Sequence, residues 1–168
     1  MDHKPRVLFF STSDSTRSQM AEGLLRKFAG DELLVVSTAV QSPDSDPLAA
    51  EVMREIGVDI SEQHSKGVRE SLKEHFSYVI TVSDDSRERS PVWPFTRNLF
   101  HWSIADPERV SGSSEHKREA FRRVRDEISW KVREFLAQLH GHKWSPNRAT
   151  ATILVCAAFL PHMETRLM

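Results

Sequence analysis

The sequence predicts a three-layer α/β sandwich built on a central four-stranded parallel sheet. Short, continuously apolar runs of strand length alternate with longer segments whose apolar residues recur at helical spacing, so helical crossovers join the strands. A run that is apolar at every position, as Val7-Leu8-Phe9-Phe10 is, suits a strand buried on both faces, and in a sheet that places helices above and below. Crossovers of this kind bring strand ends and helix starts together along one edge, where such folds hold their ligands. A chain of 168 residues suffices for one core. The expected division is a domain over residues 1–140 and a C-terminal extension over residues 141–168.

The elements follow in order. Residues 6–11 form the first strand, bounded by a Ser/Thr/Asp cluster; after the polar stretch 11–17, Met20, Leu24, Leu25 and Phe28 recur at helical spacing, and Gly30 marks the helix end. A β-branched run at 33–37 is the second strand. Asp46 and Pro47 open the second helix as N-cap and first helical residue; Leu48, Val52, Met53 and Ile56 form its apolar face and Gly57 stops it. Residues 66–76 read as a weaker helix, 78–82 as a third buried strand and 98–102 as a fourth. From 113 to 140 the apolar residues Phe121, Val124, Ile128, Val132, Phe135, Leu136 and Leu139 recur in steps of three and four, which predicts a long helix closing one face of the sheet. The tail, with Trp144, Pro146 and Pro161, has no such period; its apolar run 153–160 is open to three readings, a docked strand, a surface for a protein partner, or a loose appendage.

Composition excludes several classes. Lys and Arg number 23 against 24 Asp and Glu, a formal net charge of −1, so no polycationic field draws nucleic acid to the molecule. With 39% hydrophobic and 28% charged residues, 6 Gly and 8 Pro, collagen-like and disordered classes are ruled out. The single cysteine, Cys156, forms no intramolecular disulfide, and any thiol chemistry has to run through the tail. The start, Met1 to Arg6, meets only four apolar residues, Val7 to Phe10, before the chain turns polar, and the longest apolar stretch, 149–160, falls short of the roughly 20 residues a membrane span needs. The expectation is a cytoplasmic protein with no signal peptide, no membrane span and no cofactor. His140 and His142 lack a third ligand nearby in sequence, so no metal is expected. Arg118, Arg122, Arg123 and Arg125 share their helix with Glu115, Glu119, Asp126, Glu127 and Glu134, which reads as a solvated face. Trp93, between Pro91 and Pro94, either packs its loop or walls a pocket.

The chemistry concentrates in Ser11, Thr12, Ser13, Asp14, Ser15, Thr16, Arg17 and Ser18. A short polar loop between a buried strand and a helix aims several backbone N–H groups at one point, and Arg17 adds a guanidinium; that combination suits a tetrahedral oxyanion. The same residue types also suit plain helix capping, with Arg17 paired to a carboxylate, and by themselves they leave both readings open.

Together with Gln19-Met20-Ala21-Glu22-Gly23, this loop resembles the phosphate-binding loop of the low-molecular-weight protein tyrosine phosphatase superfamily, most closely its thioredoxin-coupled arsenate reductase branch, whose pattern is Cys-x5-Arg-Ser. Further similar segments are 47–61, 78–82, 101–107 and 121–128, in the family's order, so the likeness spans about residues 5–140. In that family a cysteine thiolate opens the loop, the arginine clamps the oxyanion, and the aspartate of an Asp-Pro pair protonates the leaving group. The resemblance assigns the last two roles to Arg17 and Asp106.

The nucleophile's position holds Ser11, and the two relay cysteines of the reductase branch correspond to Ser83 and Ser90. A thiolate at a helix N-terminus has a depressed pKa and is a strong nucleophile, whereas a serine hydroxyl stays protonated unless a base takes its proton. Hydroxyls also cannot pass on two electrons by forming a disulfide. Ser13 and Asp14 stand where the family usually has glycine and asparagine, and Ser37-Thr38-Ala39-Val40 lacks a family glycine. The resemblance therefore implies a degenerate member that binds phosphate, arsenate or a phosphorylated side chain without thioredoxin coupling. Two other readings remain: a scaffold acting through its tail, and residual phosphatase or reductase activity in which a histidine near in space activates Ser11 and Asp106 serves as acid.

Overall fold

The computed structural model describes residues 4–11, 16–40, 46–83, 92, 93, 95, 96 and 98–141, so the expectations for Thr12, Ser13, Asp14, Ser15, Ser90 and the tail beyond 141 lie outside the described residues. The chain divides into two compact units, Met1–Arg133 and Glu134–Met168. In chain order the elements are β1 (Arg6–Ser11), α1 (Thr16–Ala29), β2 (Leu34–Ala39), α2 (Pro47–Arg54), β3 (Lys66–Gly67), α3 (Val68–Ser71), β4 (Tyr78–Ser83), β5 (Leu99–Ser103), a 3-10 turn (Pro107–Arg109) and α4 (Ser114–Leu139). Asp46 caps α2 as its position before Pro47 predicts, its Oδ1 accepting the N–H of Leu48 at 2.7 Å. Gly57, at φ 72°, adopts the left-handed conformation that stops the chain after α2.

Every strand pair is parallel and the order is β3-β2-β1-β4-β5. β1 lies between β2 and β4, so the chain winds out to one side of β1 and then to the other. By the rule for such sheets, that reversal puts the ligand-binding edge at the carboxyl end of β1, where Ser11 lies.

Among the described residues the sheet has five strands, not the four expected. The extra strand is Lys66–Gly67, inside the stretch 66–76 read as one helix; it pairs with Thr38 and Ala39 ahead of the one-turn α3. Two exposed residues carry no hydropathic period, so nothing in the pattern marks them as a strand.

Among the described residues, the shortness of β3 leaves most of the outer rim of β2 without a strand. The N–H of Leu34 donates to the Pro5 carbonyl at 3.0 Å, so Leu34 and alternate residues after it turn their backbone groups to β1, while Val35 and Ser37 turn theirs outward. Side chains of α1 take the place of the missing neighbour. Arg26 Nη2 donates to the Val35 carbonyl at 3.0 Å, the Glu22 carboxylate accepts from the backbone and hydroxyl of Ser37, and Arg26 and Glu22 are themselves paired at 2.6 Å.

Both faces of β1 are buried, as its apolar run requires. Leu8 and Phe10 join Phe76, Val79 and Trp93 on one face, with Val68 and Leu72 packed against them; Phe9 meets Trp102 at 5.4 Å. Trp93 thus packs in the core, 5.6 Å from Phe10 and 6.4 Å from Phe76 between ring centroids. Three apolar positions differ from expectation. Phe28 is 37% exposed beneath the Arg133 guanidinium, and the buried side of α2 is Ala49, Ala50, Val52 and Met53, with Leu48 and Ile56 only half-buried.

Candidate functional site

Ser11 is the last residue of β1 and is 1% exposed. Its Oγ is buried and, among the described residues, meets no hydrogen-bond partner, which leaves a buried hydroxyl with bonding capacity to spare. α1 starts five residues later at Thr16, and Thr16, Arg17, Ser18 and Gln19 are all buried. The side chain of Arg17 is fully buried and its Nη1 donates to the Ile104 carbonyl at 2.8 Å. Ile104 in turn donates its N–H to the carbonyl of Ser83, the last residue of β4, at 2.7 Å. The arginine of the loop is thereby laced to the ends of β4 and β5. A guanidinium and the positive end of a 14-residue helix dipole share this edge of the sheet, a field that favours an anion.

Asp106 lies beyond β5 and caps the turn Pro107–Arg109. Its Oδ1 accepts the N–H of Glu108 at 3.0 Å, its Oδ2 is 3.3 Å from Arg109 Nε, and its side chain is 8% exposed. Sequence reasoning missed what ties this turn to the loop. Thr16 Oγ1 donates to Glu108 Oε1 at 2.7 Å and accepts the N–H of Asp46 at 3.2 Å, so the head of α1, the cap of α2 and the Asp106 turn meet at one hydroxyl. The structure thus brings Ser11, Arg17, Asp106 and Ser83 to the same edge. Thr16 belongs to the expected loop, but Glu108 carried no signal beyond following Asp106-Pro107.

A second polar cluster extends along the inner side of α1. Gln19 Nε2 donates to Ser65 Oγ at 3.1 Å, Ser65 and Ser37 hydroxyls lie 3.2 Å apart, and Ser37 bonds to Glu22. Burial pushes the Glu22 carboxyl above its usual range, against the Ser37 hydrogen bonds and the nearby Arg26 charge, which favour the ionised form. The available signal was a glutamine and a glutamate three apart on the buried side of a helix. Among the described residues, no three His, Cys, Asp or Glu side chains gather to hold a metal ion, and no helix is long and apolar enough to cross a membrane.

The comparisons with known proteins agree on one relationship. The sequence profile of the family described as low molecular weight phosphotyrosine protein phosphatase matches residues 6–144. An arsenate reductase of Halalkalibacterium halodurans is 38% identical over 133 residues, which span 79% of this chain and 96% of that protein. The arsenate reductase of Bacillus subtilis is 36% identical over 129 residues, 77% of this chain and 93% of that one. Among solved structures, an arsenate reductase in the phosphate binding state superposes with a TM-score of 0.68 at 28% identity, covering 80% of this chain and 98% of the other. An arsenate reductase in its oxidized state gives the same TM-score of 0.68 at 29% identity, over 79% and 97% of the two chains. With its parallel sheet, its loop beyond β1 and these relatives, the chain belongs to the low molecular weight phosphotyrosine protein phosphatase family and is homologous to its arsenate reductases.

Proposed function

We propose that this chain is a degenerate arsenate reductase or low-molecular-weight phosphatase that grips a phosphate- or arsenate-like oxyanion and performs no thiol-based turnover. The observation that carries the reading is Ser11 at the carboxyl end of β1, directly before the loop that leads to the buried Arg17. In this reading residues 11–18 cradle the anion, Arg17 clamps it, and Asp106 stands where the family keeps its acid. The phosphate-bound relative supports an oxyanion as the ligand. The Ser11 hydroxyl has no hydrogen-bond partner among the described residues, so none of them is in position to take its proton; that argues against serine-based hydrolysis. Ser83 and Ser90 stand where two relay thiols would be, and the one cysteine, Cys156, is far along the chain. Reduction of arsenate needs two electrons that hydroxyls cannot deliver, so coupling to thioredoxin is not expected.

Isothermal titration of the full chain with inorganic phosphate and with arsenate tests the reading. Binding that weakens with added salt and disappears in Arg17→Ala is expected, together with no arsenite formed from arsenate in the presence of thioredoxin. Arsenite production at a relative's pace, or anion binding that Arg17→Ala leaves intact, overturns it.

A further inference from the structure

We propose that Glu108 is a positioning residue that couples the Asp106 turn to the anion clamp at the head of α1, an inference that rests on the oxyanion reading of that site. Two of Glu108's hydrogen bonds run in opposite directions. Its backbone N–H donates to Asp106 Oδ1 at 3.0 Å, fixing the carboxylate of the candidate acid, and its own carboxylate accepts from Thr16 Oγ1 at 2.7 Å. Thr16 directly precedes Arg17. The Thr16 hydroxyl is 1% exposed as a residue and receives the Asp46 N–H at 3.2 Å, so its donor and an acceptor lone pair are both committed and its rotation is set. A bond from a buried hydroxyl to an ionised carboxylate is of the stronger, charge-assisted kind.

A second strut runs in parallel. Arg17 Nη1 holds the carbonyl of Ile104, two residues before Asp106, while Thr16 holds Glu108, two residues after it. The Asp106 segment is therefore pinned on both sides by consecutive residues of α1, and a shift of the clamp is transmitted to the acid. This arrangement does not act by attraction. A carboxylate beside an oxyanion site repels the ligand, so its retention there is explained by geometry, and the two contributions have opposite signs in a binding experiment.

The Thr16→Val variant of the full chain removes the bond without changing charge. Titrated with inorganic phosphate, it is expected to bind about tenfold more weakly than the parent, Thr16→Ser is expected to restore the affinity, and the double variant with Glu108→Ala is expected to be no weaker than the weaker single one. Parent-like affinity in Thr16→Val, additive losses in the double variant, or tighter binding in Glu108→Ala overturns the proposal. Urea unfolding checks each variant, and Thr16→Ala replaces Thr16→Val if the valine chain does not fold. Amide exchange without phosphate separates this inference from the reading beneath it. Faster exchange at the Glu108 N–H in Thr16→Val supports the coupling even if the parent binds no phosphate, and unchanged exchange there overturns it.

Discussion

On the inner side of α1, Glu22 is 4% exposed and shares its carboxylate among Ser37 and a single guanidinium, that of Arg26; loss of water raises its pKa from 4.5. On the outer seam between α2 and α4, Glu55 takes hydrogen bonds from Arg122 Nη2 at 2.7 Å and Arg125 Nη1 at 2.9 Å. The Arg122 bonds, more than any other influence, hold its carboxyl down at about 2. Arg118 adds Glu51 and Glu115 to the same seam, and Arg125 also reaches the Val52 carbonyl at 2.9 Å. The two glutamates differ in water and in what they replace. The seam is rich in partners, and apart from Arg125, which is buried rather than on the solvated face its helix pattern predicts, its pairs are partly open to solvent, redundant and screened. The inner pair stands in for backbone that the short β3 does not supply, Arg26 at the Val35 carbonyl and Glu22 at Ser37.

The contrast can be tested by overfilling the inner side. A Cβ on Gly23 comes within 2.8 Å of Ile60 Cγ2 and 3.0 Å of Val58 Cγ1, so Gly23→Val is expected to lower stability by about 3 kcal/mol in urea unfolding. Next, Glu22→Ala strips the acceptor from the buried Ser37 groups and leaves Arg26 beside them. The expected loss is about 2 kcal/mol. A Glu22→Ala chain as stable as the parent contradicts the edge-completing role.

The smallest effect is at Glu55, and pH sharpens the comparison. Its folded pKa of about 2 lies below the usual 4.5, so its stabilisation is complete above pH 4.5 and is lost as pH falls through about 2. Glu22 has the opposite sign, since its folded pKa lies above 4.5. Its ionisation costs the folded state nothing below pH 4.5 and erodes stability as pH rises from there through the raised value. Unfolding series in pH are expected to show a shallower acid limb in Glu55→Gln, with Glu74 and Asp59 keeping the remainder, and a weaker decline above pH 4.5 in Glu22→Gln. Added salt at about 1 M, where charges are screened beyond about 3 Å, is expected to erase the Glu55→Gln difference and to leave that of Glu22→Ala standing.

What the sequence revealed was whatever repeats or punctuates. β1 is legible because a strand buried on both faces reads as an unbroken apolar run, β4 because its run Tyr78 to Val82 is β-branched and largely buried, and α2 because Asp46 and Pro47 announce its start. β3 is not legible, because its two residues hold their place through the backbone of Thr38 and Ala39. Arg17 stood out in the loop, but the Ile104 carbonyl that receives it lies 87 positions away and has no side-chain signature. Glu108 and Thr16 are 92 apart. An acidic residue after an Asp-Pro pair looks the same in sequence whether it faces water or a buried hydroxyl. Likewise nothing in the four-residue spacing of Glu22 and Arg26 tells a solvated helix pair from one laid across a sheet rim.

That rim bears on how the protein behaves in a crowd. An open flank of carbonyls and amides is a template on which a foreign chain can continue the ladder. Here the guanidinium of Arg26 already occupies the Val35 carbonyl and the carboxylate of Glu22 the Ser37 N–H, so a would-be adjoining strand must first evict a salt-bridged pair. Loss of Glu22 therefore removes a guard against self-templated stacking as well as a stabilising contact.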